Sequence, residues 1–200
     1  MIRSLVDDFD NRLSYGDTVL YIDMTFDNIL LFIELLEDQD VGDVDKITFG
    51  LEMLVENYEA VEEEPLNRKV ELFNFIVDEF LKGGGTEKKE PDDETGGRNN
   101  MDFTKDADLI YASFLFDYGL DLFEARGALD WRKFVSLLRN LSDETPFKEA
   151  VKYRTMKLPS AKVYGQEYRD HVMKMKRLYS LDEGFDGDQV LDAVADVFRV

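Results

Sequence analysis

Polar and apolar residues alternate only near the start of the chain; from Thr25 onward apolar residues recur every three or four positions. The segment RLSYGDTVLYIDM carries β-branched and aromatic residues on both sides of Tyr15, Gly16 and Asp17, which predicts a hairpin of two short strands. A lone hairpin is marginal in water, so this one is expected to lie on helices. In TFDNILLFIELLED, Ile29, Phe32, Ile33 and Leu36 form one stripe of a helix capped by Thr25 or Asp27. The stripe of DVDKITFGLEMLVENYE is Ile47, Leu51, Leu54 and Tyr58. Pro65 opens a third helix with Leu66, Val70, Phe73, Val77 and Phe80 on one side. Amphipathic helices in succession, joined by short acidic loops, predict an antiparallel α arrangement.

The pattern stops at residues 82–100, KGGGTEKKEPDDETGGRNN, which contain no apolar residue. Without burial to offset ordering entropy, this segment reads as a flexible linker. A phosphate-loop reading of its glycines fails, because G-x-x-x-x-G-K-[ST] is absent and acids outnumber bases. Helical spacing resumes from about 104 to 118, with Gly119 as the stop, and a short helical stretch over 121–126 is closed by Gly127. Asp130 caps WRKFVSLLRNL, whose stripe is Trp131, Phe134, Val135 and Leu138. Thr145 and Pro146 open PFKEAVKYRTMKL, which Pro159 ends. YGQEYRDHVMKMKRLYSL and GDQVLDAVADVFRV are the last candidate helices. The expected fold is therefore mainly α, a multi-helix bundle with a short N-terminal β-hairpin. Its expected parts are 1–81, the linker 82–100, a C-terminal helical part of the same domain over 101–180, and a helix or tail over 181–200.

One helix resists the stripe rule. Leu109, Ile110, Tyr111, Ala112, Phe114, Leu115, Phe116 and Tyr118 leave it almost no polar face. Such a helix is expected to be buried at the centre of a core or covered by a partner. Asp106, Ile110, Ser113 and Asp117 share one side of it. Its two carboxylates would stand roughly 16 Å apart along the axis, too far for the paired acids of glycoside hydrolysis at roughly 5–9.5 Å.

Charge and composition narrow the chemistry further. The formal net charge is −20, which opposes binding to phosphate backbones or anionic membranes, so neither nucleic acid nor membrane is expected as partner. Against that trend, residues 146–180 hold nine Lys or Arg and three Asp or Glu. This basic arm reads either as docked on the acidic body or as a docking surface for an acidic partner. The chain has no cysteine, no apolar h-region at its N-terminus and no run long enough for a membrane span, which suits a soluble intracellular protein. The single histidine, His171, lacks a second histidine or a G-x-S-x-G nucleophile, and reads as a surface or packing residue. The acid runs at 38–45 and 182–188 fail the calcium-loop pattern, since their twelfth positions are Phe49 and Ala193. No catalytic, cofactor-binding or metal residue is expected.

The run DFTKDADLIYASFLFDYGLDLFEARGALDWRKFVSLLRNL, followed by FKEAVKYRTMKLP, resembles the gp-fifteen-type proteins of Gram-positive siphophages and prophages. YIDMTFDNILLFIELLED fits the same pattern, and the resemblance spans most of 15–180. Its most specific parts are A-S-F-L-x-x-Y-G-x-D-L, W-x-x-F-x-x-L-L, and R-x-x-x-L-P at Arg154, Leu158 and Pro159. Arg132 stands where related chains often carry a second aromatic beside the tryptophan. The resemblance implies a non-enzymatic tail assembly chaperone in the cytoplasm of the bacterial host, binding the tape-measure protein, the tail-tube protein or both. The alternative is a structural subunit retained in the virion; a metal-dependent hydrolase is the weakest reading. The client-binding face is expected on Trp131, Arg132 and Phe134 with Lys148, Lys152, Arg154 and Lys157, and a homo-oligomer is possible.

Overall fold

The protein is described by a computed structural model over residues 9–81 and 100–181. The expected linker, apart from Asn100, lies outside the described residues, as do the DEGFDGD run and the last expected helix. The described chain is mainly helical, with one two-stranded antiparallel sheet of β1 (Arg12–Tyr15) and β2 (Thr18–Tyr21). The helices are α1 (Phe26–Glu37), α2 (Asp43–Leu54), α3 (Leu66–Ile76), α4 (Ala107–Tyr118), α5 (Trp131–Arg139), α6 (Pro146–Thr155), α7 (Ala161–Tyr164) and α8 (Gln166–Leu178). They sort into two compact units: residues 9–81 with 123–139, and residues 100–122 with 140–181.

In the first unit, Tyr15 faces Thr18 across a two-residue turn, and Gly16 takes the positive φ of 56° that such a turn demands. The hairpin docks on the end of α2. Asp23 donates its N–H to the Leu54 carbonyl at 2.9 Å, and Glu56 donates to the Tyr21 carbonyl at 2.9 Å. The Asn57 side chain works like a backbone unit: its Oδ1 accepts from the Tyr21 N–H and its Nδ2 donates to the Val19 carbonyl, both at 3.0 Å. This pairing draws Val55 into a bridge with Ile22 and ends α2 at Leu54. Tyr58 therefore leaves the expected stripe and sits in a 3-10 turn over Tyr58–Ala60.

The four stripe residues of α1 are all buried, together with Phe26. Thr25 caps by position only, its hydroxyl donating to Asp23 Oδ1 at 2.7 Å and not accepting from a helix N–H. Ile47, Leu51 and Leu54 of α2 face α1 and α3, and Gly50 lets the Phe32 and Phe73 rings, 5.7 Å apart, close on the helix backbone. In α3, Phe73 joins Leu72 and Ile76 in the core, then a π turn (Val77–Leu81) buries Val77 and Phe80. Leu66 is exposed, because the helix begins at that residue and its first turn is uncovered.

The expected helix over 121–126 is a run of turns instead. Just beyond it, Gly127, at φ 69°, gives its N–H to Asp27 Oδ1 at 2.9 Å, and Phe26 donates to the Leu129 carbonyl at 2.9 Å. Asp130 then caps α5, its Oδ1 accepting the Arg132 N–H at 2.8 Å.

The second unit stacks α4 and α8 on α6, with α7 against α8. Gly119 ends α4 at φ 60°, as expected of a left-handed stop. Thr145 and Pro146 open α6 in the expected places, and Thr145 is buried with its hydroxyl donating to the Ser142 carbonyl at 2.8 Å. The helix ends at Thr155, short of Pro159.

Candidate interaction surface

The helix without a polar face, α4, is built inside out. Asp106 at its N-terminus, Ile110, Ser113 and Phe114 are buried, while Leu115, Phe116 and Tyr118 are exposed, Phe116 to 67%. It is therefore no buried central helix. Apolar residues encircle it, so hydrophobicity does not choose its inner side. Hydrogen bonding does, because three polar side chains on one stripe each find a partner.

The Asp106 carboxylate takes a two-pronged bond from Arg154, with Nη2 at 2.6 Å from Oδ1 and Nη1 at 2.7 Å from Oδ2. Oδ2 also accepts the Asp102 N–H at 3.0 Å. Arg154 further donates Nε to the Tyr179 carbonyl at 2.6 Å and Nη1 to the Asn100 carbonyl at 3.0 Å. One guanidinium thus ties the start of α4, the end of α6 and the end of α8 together. Two turns further along, Ser113 Oγ donates to the Leu109 carbonyl at 2.6 Å and accepts the Phe147 N–H at 3.1 Å. Phe147 lies in the first turn of α6, where backbone N–H groups lack helical partners. Asp117 accepts from the Ser142 N–H at 2.6 Å and the Ser142 hydroxyl at 2.8 Å. The stripe Asp106–Ile110–Ser113–Asp117, unfit for paired-acid catalysis, is the seam that fixes α4 on α6.

What faces outward is the opposite side of α4. Ala112 and Leu115 lie along it, Tyr111 and Tyr118 border one edge and Phe116 the other. The Tyr111 hydroxyl is held by Asp121 at 3.2 Å, and the Tyr118 ring meets Phe114 edge-on at 5.8 Å. Partial burial, with the Asp117 carboxylate nearby, raises the Tyr118 phenol above its ordinary pKa. Past the exposed Asp108 in its first turn, this face of rings and aliphatic groups suits another apolar surface.

The residues expected to bind a client are differently placed. Trp131 and Phe134 are not a free anchor; both are buried, Phe134 stacked between Phe26 at 4.9 Å and Trp131 at 5.5 Å. The Trp131 N–H donates to the Met24 carbonyl at 2.7 Å, which pulls the start of α5 onto the segment before α1. Arg132, in place of an aromatic, lies 4.0 Å over the Phe9 ring and bonds both Asp130, at 2.6 Å, and Asn11. Arg154 is committed to Asp106, with 8% of its side chain exposed. Lys152 and Lys157 are exposed and Lys148 is half-buried. The first three residues belong to the first unit and the other four to the second. The sequence left α4 as either a central helix or one covered by a partner; its polar stripe could not decide, because such a stripe has an inward role as good as an outward one.

His171 is exposed, 3.4 Å from the Tyr153 hydroxyl. Among the described residues no group of His, Asp and Glu is placed to hold a metal ion, and no helix is long and apolar enough to cross a membrane. No curated protein and no solved structure matches the chain significantly. One family does, the bacteriophage Gp15 protein, over residues 5–181. That match takes in both units, the stripe on α4 and the Arg154 clamp, and the chain belongs to the bacteriophage Gp15 protein family.

Proposed function

We propose that the chain is a non-enzymatic tail assembly chaperone that holds the tape-measure protein, or the tail-tube protein, during tail building. Its family is one of phage structural and morphogenesis proteins. The observation that carries the finer reading is the outward face of α4, with Leu115 exposed to 46% and Phe116 to 67%. An apolar face of this kind can shield an amphipathic helix of a client before that helix finds its place in the tail. The surrounding negative charge keeps such a complex soluble.

Co-expression with the neighbouring tape-measure gene tests the reading. The chaperone should raise the soluble fraction of that client and come down with it. The paired change Leu115→Ser and Phe116→Ser should abolish capture while the circular dichroism spectrum stays that of the parent. Unchanged client solubility in the presence of the parent chain would end this assignment. Mass spectrometry of purified particles separates the other phage role: a chaperone is absent from them, and a stoichiometric amount would make the protein a structural subunit.

A further inference from the structure

The helix pair α1–α2, in the first unit, carries a second exposed apolar face. The connection 38–42 turns the chain back, so the two helices run antiparallel, and three contacts fix their register. The Asn28 side chain donates to the Met53 carbonyl at 2.9 Å, the Phe32 ring lies against Gly50, and Lys46 Nζ donates to the Leu36 carbonyl at 2.6 Å. The core side of the pair holds Ile29 and Ile33 of α1 with Ile47, Leu51 and Leu54 of α2. Helical spacing places Leu31 and Leu35 of α1, and Phe49 and Met53 of α2, along the other side of the seam. Leu31 is exposed to 56% and Phe49 to 46%, while Leu35 and Met53 are half-buried.

Acids border this seam on both sides. Glu34 and Asp38 flank the two leucines, and Asp45 and Glu52 flank Phe49. All four are exposed, and none is in an ion pair among the described residues. Lys46 is the only Lys or Arg of the two helices, and its ammonium is held by the Leu36 carbonyl. From Asp23 to Glu64 the chain has fourteen Asp or Glu against one Lys, a balance of −13 within the total of −20. Solubility accounts for acids spread over a surface, but it does not account for exposed apolar side chains in line between two rows of them.

We infer that this seam docks a basic amphipathic helix of another protein, with apolar side chains seated between Leu31, Leu35 and Phe49 and Lys or Arg on both flanks to meet the acids. Recognition of a helix in a groove reads an apolar stripe and its flanking charges together. Charge decides between occupants. A second copy of this chain brings its own net charge of −20, and nucleic acid or an anionic membrane brings phosphates, so each is repelled. Length limits the occupant as well. Each helix of the pair has 12 residues, about 18 Å at 1.5 Å per residue, so a helix of about three turns fills the seam. The inference does not depend on the chaperone reading, since it concerns another face and another chemistry.

Fluorescence anisotropy with the full chain tests it, using a labelled peptide of the same length as α1 with leucines at helical spacing and lysines over the rest of its surface. Two controls share its length: a Glu-for-Lys version, and a peptide of the same composition with the leucine spacing scrambled. The basic amphipathic peptide should bind, and less tightly as salt rises, because the acids it meets are exposed. The Glu version should not bind, and the scrambled one should bind at least about tenfold more weakly. Leu31→Ser with Phe49→Ser should weaken binding by about tenfold or more, the usual cost of losing a central apolar contact. Glu34→Lys with Glu52→Lys should do the same and flatten the salt dependence. Both glutamates are exposed, so this second pair should keep the parent's thermal melt even where the serine pair lowers it. Leu115→Ser with Phe116→Ser should leave binding unchanged. Failure of the basic peptide to bind, equal binding of the scrambled one, or binding that survives both paired changes on the seam overturns the inference. So does loss of binding in the α4 pair, which would place the peptide there, or salt-sensitive self-association in the ultracentrifuge, which would make a second copy the occupant.

Discussion

Breaking the Asp106–Arg154 pair tests whether polar bonding orients α4. The side chains are 1% and 8% exposed, so water screens the pair little. Removing one partner leaves the other charge buried and unmatched, which costs about 3–5 kcal/mol. Asp106→Asn keeps the side-chain volume and an oxygen for the Asp102 N–H, and should sit near the low end of that range. Arg154→Met also strips the donor from the Tyr179 and Asn100 carbonyls. At about 1 kcal/mol for each lost bond, it should reach the high end. The double variant Asp106→Asn with Arg154→Met leaves no buried charge, and should cost no more than Arg154→Met alone. Urea unfolding followed by far-ultraviolet circular dichroism measures all three, with amide exchange in α4 and α6 to locate the loss. An Asp106→Asn effect below about 1 kcal/mol would refute the reasoning, because a buried pair cannot be broken so cheaply. Strict additivity in the double variant would refute it too, since groups in contact couple.

Other outcomes follow from the same geometry. A Cβ at Gly50 would lie 2.7 Å from a Phe32 ring atom and 2.8 Å from one of Phe73. Gly50→Ala should therefore lower the urea midpoint despite the roughly 1 kcal/mol of helix propensity it adds, because overpacking costs about 1–3 kcal/mol. Ser113→Ala should destabilise by about 1–3 kcal/mol by leaving the buried Phe147 N–H without an acceptor, read as faster amide exchange at that position. Burial, with the Glu149 carboxylate second, raises the Tyr179 phenol above 10.0. The folded state thus holds that proton more tightly than the unfolded one. Its contribution is whole below pH 10 and is lost as pH rises through the folded pKa. Difference absorbance between the parent and Tyr179→Phe should show this phenol ionising later than a free tyrosine.

Residues whose surroundings are local were legible in the sequence. The hairpin at Gly16, the α1 stripe, the Gly119 stop and the Thr145–Pro146 start depend on a few neighbours and on periodicity. What stayed hidden was set by distant pairing. Tyr58 left its helix because the residues after Leu54 pair with Tyr21 and Ile22, and the chain after 121–126 is tied to Phe26 and Asp27 through Leu129 and Gly127. Trp131 is compatible by type with either core or interface, and only the ring stack with Phe26 and Phe134 decides for core. In α4 the polar stripe was visible, but its direction was not, because Arg154 lies far along the chain from Asp106. The R-x-x-x-L-P motif held the answer: its arginine is the clamp, and Arg169 fastens its proline by donating to the Pro159 carbonyl at 2.8 Å.

Asn57 has a consequence of a different kind. A free strand edge is a template on which another chain can add. The outer edge of β2 offers little to such a chain. The Tyr21 N–H and the Val19 carbonyl are taken by one asparagine side chain, and the Tyr21 carbonyl by the Glu56 N–H. A two-stranded hairpin is thereby finished along that edge without a third strand.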